Sequence, residues 1–136
     1  MNLQDQYDSY ICSSLRNRKV NNQICLFLEN KQLTVYNPGR DTPQTGDPSV
    51  IFSANCQAIE KAKTVIAVLD YFGKDFGFEI GFVHGLNKPV IGFSTGEIEK
   101  SSVMILQAIP SIVNTLDELY RAIIQLLDQN IQVFRQ

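Results

Sequence analysis

Two uninterrupted apolar runs constrain the fold of this chain more than any other feature. Residues 64–69, Thr-Val-Ile-Ala-Val-Leu, contain no polar side chain after the threonine, and residues 89–93, Pro-Val-Ile-Gly-Phe, contain none at all. A strand with one face in water alternates apolar and polar residues, whereas a strand of a parallel sheet covered on both faces reads as a continuous apolar run. Both runs therefore predict strands that are buried on both faces.

The order of elements along the chain predicts an α/β fold. Strands are predicted at residues 9–12, 32–36, 64–69, 89–93 and 110–113. Helices are predicted at residues 17–30, 48 to about 63, roughly 76–86 and 101–109, and after Thr115, which forms a capping box with Glu118. Residues 37–48 hold three prolines and two glycines, so a long loop is predicted there. This alternation indicates a flavodoxin-like or Rossmann-like three-layer sandwich with a five-stranded parallel sheet of order 2-1-3-4-5.

Composition and charge exclude several classes of protein. A length of 136 residues suits a single domain spanning residues 1–136. The net charge of −2 argues against a nucleic-acid partner, and the apolar runs are too short to cross a membrane. The first residues lack the basic and apolar regions of a secretion signal. Cys12, Cys25 and Cys56 form no CxxC pair and there is one histidine, so we expect a reduced, cytoplasmic protein without metal or cofactor.

The predicted topology indicates where function is located. In a sheet of order 2-1-3-4-5 the strand order reverses between strands one and three, and ligands bind there, outside the carboxyl ends of the strands. Residues 10–16 and 70–79 are therefore the candidate site.

Three carboxylates follow the third strand, namely Asp70, Asp75 and Glu79. Glu79 lies in an apolar stretch near the start of a helix, which makes it a candidate nucleophile or general acid/base. On spacing alone, the interpretation that Glu79 is only a first-turn acid complementing the helix dipole is favoured. Asp70 could likewise brace a loop, and Gly77 could allow close packing of the helix. No GxGxxG or Walker A pattern is present.

The first strand ends in two hydroxyls and a guanidinium, those of Ser13, Ser14 and Arg16, just before a helix. Helix N-termini bind anions, and serine and arginine are suitable phosphate ligands. The alternative is that a serine only caps the helix and Arg16 is solvated.

Three segments carry a resemblance to a known family. They are Ala-Lys-Thr-Val-Ile-Ala-Val-Leu-Asp at 62–70, Gly-Phe-Glu-Ile-Gly-Phe at 77–82 and Lys-Pro-Val-Ile-Gly at 88–92. Together they resemble the nucleoside 2-deoxyribosyltransferase family, including its 2′-deoxynucleoside 5′-monophosphate N-hydrolase relatives. The likeness runs in register from about Tyr10 to Leu119.

The resemblance implies a covalent mechanism. Glu79 matches the family's catalytic glutamate, which attacks the anomeric carbon of a deoxyribonucleoside and displaces the base. Tyr10 matches the tyrosine that holds this carboxylate. Asp75 is implied as the acid that helps to protonate the leaving base. Asp70 is open for that role as well, because Asp75 lies two residues closer to Glu79 than the family spacing.

The resemblance also implies substrate-binding residues and a partner. Asn55 stands where the family has the aspartate that fixes the sugar, and Gly77 belongs to the glutamate motif. Ser102 and Met104 resemble the segment that family members insert into the site of a neighbouring subunit. A homo-oligomer is therefore expected.

The function implied is a nucleoside 2-deoxyribosyltransferase-like enzyme that transfers the sugar from one base to another. An N-glycosidase (hydrolase) acting on nucleoside 5′-monophosphates is the alternative, because Ser-Ser-Leu-Arg at 13–16 resembles the phosphate loop of the hydrolases. A catalytically weak nucleotide-binding or sensing module is a further alternative, motivated by Asn55 and the short spacing. The expected partners are a small-molecule nucleoside or nucleotide and further copies of the chain.

Overall fold

The computed structural model describes residues 6–98 and 100–135, with side chains as far as residue 129. The strands are β1 (Tyr7–Cys12), β2 (Val35–Tyr36), β3 (Ala62–Val68), β4 (Val90–Phe93) and β5 (Ile112–Val113). The helices are α1 (Arg18–Asn30), α2 (Pro38–Asp41), α3 (Pro48–Glu60), α4 (Lys74–Gly85), α5 (Val103–Gln107) and α6 (Leu116–Arg135). A short 3-10 turn, Leu15–Asn17, joins β1 to α1.

The predicted sheet is confirmed. Its strands are parallel and lie in the order β2-β1-β3-β4-β5. Tyr10 of β1 pairs with Tyr36 of β2 on one side and with Val65 of β3 on the other. The chain leaves β1 for α1 and leaves β3 for α4, and these two helices cover opposite faces of the sheet. This divergence opens a crevice at the carboxyl ends of β1 and β3.

The central strands are apolar throughout because both of their faces are buried. Successive side chains of a strand point to opposite faces. Tyr10 and Cys12 pack in the cluster under α3, α4 and α5, whereas Ile11 between them packs under α1 and α6. In β3, Val65 and Ile66 divide between the two clusters in the same way. The three predicted layers follow from this alternation.

The long loop predicted at residues 37–48 contains a short helix, α2. The Asn37 side chain caps it by accepting from the Gly39 N–H at 3.3 Å, and Pro38 occupies the first turn. The Arg40 guanidinium donates to both carboxylate oxygens of Glu29 in α1 at 3.0 Å. The prediction missed α2 because the prolines and glycines of residues 37–48 were interpreted as loop signals, although proline is favoured in the first turn of a helix. The result is a connection that is tied to α1.

The second strand is shorter than the predicted residues 32–36. Gln32 has a φ of 70°, a left-handed conformation that ends α1 in a turn and is incompatible with a strand. Pairing with β1 is therefore limited to Val35 and Tyr36.

Gly92 of β4 lies where no side chain fits. A Cβ atom there would stand 2.9 Å from side-chain atoms of both Ile109 and Ile112, and 3.2 Å from Leu69. The segment between α5 and β5 therefore packs directly on the backbone of β4.

The capping box predicted for the last helix is confirmed. The Glu118 N–H donates to Thr115 Oγ1, and the Thr115 N–H donates to Glu118 Oε1, both at 3.1 Å. Neither α6 nor any other helix among the described residues is long and apolar enough to cross a membrane.

Candidate active site

Tyr10 and Glu79 meet at the point where the sheet opens. Tyr10 is fully buried in the second half of β1, and Glu79 lies in the second turn of α4. The Tyr10 hydroxyl donates to Glu79 Oε1 at 2.9 Å. Burial on a central strand fixes the tyrosine, so this hydrogen bond fixes the position of the carboxylate.

The surroundings of Glu79 act on its pKa in opposite directions. Burial raises the pKa of the carboxyl above its ordinary value of 4.5, and the neighbouring Asp75 adds to this effect. Hydrogen bonds from Tyr10 and Cys12 favour the ionised form and lower the pKa. The net shift of the pKa is upward. Glu79 is therefore partly desolvated, yet it keeps hydrogen-bond donors that stabilise its ionised form.

Cys12 was not among the predicted site residues. Its thiol is fully buried, lies on the same face of β1 as Tyr10, and hydrogen-bonds to Glu79. Period-two spacing from Tyr10 is the signal in the sequence that could have identified it.

A cavity of about 470 Å³ opens in front of Glu79. Five of the predicted site residues line it, namely Ser13, Ser14, Asn55, Asp75 and Glu79. The cavity therefore brings together residues that follow β1, residues that follow β3 and a residue of α3.

The cavity wall also contains residues that the sequence did not indicate. Thr42 and Gln44 enter it from the connection after α2, and Lys74 from the first turn of α4. Gly73 is the N-cap of α4, so no side chain caps the first N–H groups of this helix, whose first turn lines the cavity.

A chain of hydrogen bonds supports the far side of the cavity. The Tyr36 ring stacks on the Tyr10 ring, with centroids 5.6 Å apart and planes 10° apart. The Tyr36 hydroxyl lies 2.8 Å from Thr42 Oγ1, and Thr42 Oγ1 donates to Asn55 Oδ1 at 2.5 Å. Tyr10, which binds Glu79, thus packs on Tyr36, the first residue of this series of hydrogen bonds.

The sequence profile of the nucleoside 2-deoxyribosyltransferase family matches residues 9–107 of the chain. The chain belongs to this family. It is accordingly a protein of the nucleoside deoxyribosyltransferase and N-glycosidase kind. The matched segment includes every residue of the cavity wall. No curated protein sequence matches the chain.

Solved structures agree with this assignment at the level of the fold. The chain is similar to a 2-deoxyribosyltransferase from Bacillus psychrosaccharolyticus, with a TM-score of 0.70, 21% identity and coverage of 82% of this chain and 89% of the other. It is also similar to a 2-deoxyribosyltransferase from Leishmania mexicana (TM-score 0.53, 20% identity, coverage 65% and 64%). A CMP N-glycosidase from Clostridium botulinum shares the fold as well (TM-score 0.57, 16% identity, coverage 84% and 96%).

Asp70 and Arg16 are among the predicted site residues of this family member that do not line the cavity. Both carboxylate oxygens of Asp70 bind Thr95, Oδ1 accepting from its N–H at 2.9 Å and Oδ2 accepting from its hydroxyl. Asp70 therefore braces the loop after β4, the second of its two interpretations. The Arg16 guanidinium stacks over the Tyr71 ring, 4.9 Å from its centroid.

Three other predicted site residues lie in α4 or at the start of α5, namely Gly77, Ser102 and Met104. Gly77 lies next to α5, and a Cβ atom there would meet Ile105 at 3.6 Å, an ordinary van der Waals contact. Ser102 stands at the N-cap of α5, and Met104 is 84% exposed. Their predicted contribution to a neighbouring subunit stays a prediction.

A second cavity, of about 680 Å³, lies between α1 and α2 and shares Leu15 and Gln44 with the first. Its one carboxylate, Glu29, is paired with Arg40. The smaller cavity is the candidate active site because it contains the buried, positioned carboxylate. Among the described side chains, no three His, Cys, Asp or Glu residues are grouped to hold a metal ion.

Proposed function

We propose that the chain cleaves the N-glycosidic bond of 2′-deoxyribonucleosides and transfers the sugar to another base, with Glu79 as the nucleophile. The observation that carries this proposal is the Tyr10–Glu79 hydrogen bond of 2.9 Å at the wall of the cavity. A two-step displacement needs a carboxylate that is ionised, fixed and partly shielded from water. Family membership supports the same chemistry.

In the first step the Glu79 carboxylate forms an ester bond to C1′ of the sugar. The bond from C1′ to the base nitrogen breaks, its electron pair leaves with the base, and the carboxyl proton of Asp75 neutralises that nitrogen. In the second step a nitrogen of another base attacks C1′. The ester bond breaks, its electron pair returns to Glu79, and the proton of the incoming nitrogen passes to Asp75.

The proposal is tested by replacing the nucleophile. We expect Glu79→Ala to lose base exchange by several orders of magnitude, since about 5 kcal/mol or more of barrier lowering depends on the nucleophile. Product formation is followed by chromatography, with Glu60→Ala, at the opposite end of α3 from the cavity, as a control for the loss of one glutamate.

Trapping identifies the acid directly. A 2′-fluorinated deoxyribonucleoside analogue is expected to leave a sugar adduct on Glu79, located by mass spectrometry of peptides. An adduct on Asp70 or Asp75, or turnover of Glu79→Ala near that of the unmodified protein, would contradict the proposed mechanism.

A second candidate function, hydrolysis of nucleoside 5′-monophosphates, is favoured by the uncapped first turn of α4. Its N–H groups, Lys74 and the hydroxyls of Ser13 and Ser14 line one cavity, which is a suitable arrangement for a phosphate dianion. Arg16 is a further anion ligand predicted from the sequence, and we propose that Ser102 of a neighbouring subunit is another.

Assays with and without a 5′-phosphate, and with and without an acceptor base, separate the two functions. If the monophosphate is the substrate, Lys74→Ala lowers its use about ten- to a hundredfold, as expected for a charged hydrogen bond of roughly 1.5–3 kcal/mol, and spares the free nucleoside. Binding of either compound without turnover would instead favour the catalytically weak binding module.

We also propose that the chain forms a homo-oligomer. Several large apolar side chains of α3, α4 and α5 are exposed, among them Phe52 and Phe78, whose ring centroids lie 5.7 Å apart, and Val103 and Met104. Such a cluster favours self-association. Sedimentation of the protein and of Met104→Glu tests this, since a buried charge would shift the equilibrium towards the monomer.

A further inference from the structure

Thr42 links a buried tyrosine to the amide of Asn55. Its side chain is 4% exposed, and that of Tyr36 is 7% exposed. Thr42 Oγ1 lies 2.8 Å from the Tyr36 hydroxyl and 2.5 Å from Asn55 Oδ1. The Tyr36–Thr42 hydrogen bond is therefore buried, and the Thr42–Asn55 hydrogen bond is partly buried at the cavity wall.

The donor and the acceptor of each hydrogen bond in this series follow from the chemistry of the groups. An amide carbonyl oxygen only accepts, and a threonine hydroxyl has a single proton to give. Thr42 therefore donates to Asn55 Oδ1, and the Tyr36 hydroxyl donates to Thr42. The 2.5 Å separation fits an O–H···O bond and is shorter than the roughly 2.7–3.2 Å of an N–H···O bond, so the carbonyl side of the amide faces Thr42.

The Nδ2 atom of the same amide points away from Thr42, because Oδ1 faces it. Asn55 lines the cavity together with Glu79. With Oδ1 engaged by Thr42, the two N–H bonds of Nδ2 remain for a ligand. The cavity thus receives a pure hydrogen-bond donor at this position, where a carboxylate would present an acceptor.

We propose that Thr42 is a positioning residue that orients the Asn55 amide, so that Nδ2 donates to a hydroxyl oxygen of the substrate's sugar. The proposal rests on the proposed function, because a sugar whose C1′ bonds to Glu79 must lie beside it. Thr42 itself does not touch the reacting atoms. Its role is to exclude the flipped amide, which would present a carbonyl oxygen to the sugar.

The orientation of the amide is tested independently of turnover. The Asn55 side-chain N–H resonances are followed by ¹⁵N NMR during titration with a 2′-deoxynucleoside in the Glu79→Gln background. We expect them to shift on binding, and to respond much less in Thr42→Val, which keeps the shape of the side chain but lacks the hydroxyl. A response unchanged by Thr42→Val would overturn the proposal.

The affinity for the nucleoside is the second readout. Thr42→Val is expected to raise the dissociation constant about three- to tenfold, the range for a neutral hydrogen bond, and Thr42→Ser to restore most of the loss. The loss should disappear for either the 3′-deoxy or the 5′-deoxy analogue, whichever lacks the accepting oxygen. An equal loss for both analogues would assign Thr42 to packing alone.

A double-mutant cycle completes the test. Asn55→Asp keeps an acceptor for Thr42 but removes the donor, so adding Thr42→Val to it should cost little more. Additive losses of affinity would contradict the proposal that Thr42 acts through Asn55. If the unmodified protein binds nucleosides in this way but turns none over, the proposed catalytic function fails and the positioning role of Thr42 stands.

Discussion

Glu79 combines an environment that disfavours its charge with two donors that favour it. Burial and Asp75 raise its pKa, while Tyr10 and Cys12 lower it. A nucleophile must be ionised, so activity is expected to fall as the pH decreases through this raised pKa. The donors therefore extend the working range of the site towards lower pH.

Tyr10→Phe tests that balance. Loss of a hydrogen bond to a charged group, roughly 1.5–3 kcal/mol, should slow turnover about ten- to a hundredfold. Because one influence that lowers the pKa of Glu79 is removed, the acidic limb of the profile of kcat/KM against pH should move to higher pH. Tyr7→Phe, which removes a hydroxyl at the start of the same strand that does not bind Glu79, is the matched control.

A smaller rate without movement of the acidic limb would assign Tyr10 to geometry alone. An unchanged rate would place its hydroxyl outside the catalytic machinery.

Sequence patterns predicted part of the site. Topology and the resemblance brought Tyr10, Glu79 and Asp75 to one edge. Thr42 was missed because it enters the cavity from a connection whose path the sequence does not encode, and Lys74 was not singled out although it lies within the predicted residues 70–79. Asp70 follows β3, which ends at the cavity. Its position in the sequence could not indicate that both of its carboxylate oxygens bind Thr95.

At the scale of elements, the continuous apolar runs and the alternation of strands and helices predicted the sheet and its order. The boundaries depended on local conformations that periodicity does not encode. Gln32 in a left-handed conformation delays β2, and Pro38 begins a helix within an expected loop. Tertiary contacts such as the Arg40–Glu29 pair then hold that helix in place.

Two glycines in different elements should respond oppositely to alanine. Gly92→Ala forces a Cβ atom to within 2.9 Å of two isoleucine side chains, and overpacking of this kind destabilises by about 1–3 kcal/mol. Gly81, in the interior of α4, has open space around its Cβ position. Gly81→Ala should therefore stabilise by about 0.5–1 kcal/mol.

Both glycine variants are measured by urea unfolding at constant slope. Equal changes in the free energy of unfolding for the two variants would show that the packing around Gly92 relaxes without cost.

At the scale of the whole molecule, the site weakens the fold that carries it. The pKa of Glu79 is higher in the folded than in the unfolded chain, so the folded state binds more protons between the two values. Stability attributable to this group is therefore present below the unfolded value and is lost as the pH rises through the folded one. Above that pH the ionised carboxylate destabilises the protein.

Glu79→Gln removes this penalty and keeps an acceptor for Tyr10. Its melting temperature relative to the unmodified protein should rise with pH through the raised pKa and then level off. Glu118→Gln should behave oppositely, because hydrogen bonds from Asn114 and Thr115 lower the pKa of Glu118. That variant loses stability at neutral pH and loses progressively less as the solution is acidified.

Parallel curves for the two variants would exclude a specific cost at Glu79.

The stacked tyrosines beside the carboxylate also determine how the protein interacts with light. The chain has five tyrosines and no tryptophan, so tyrosine dominates its near-ultraviolet absorption and emission. Tyr7, Tyr10 and Tyr36 form one cluster, with Tyr7 edge-on to Tyr36 at 5.2 Å and Tyr10 bound to Glu79. The site therefore contains its own chromophores, and occupancy of the cavity is readable from circular dichroism or fluorescence without an added label.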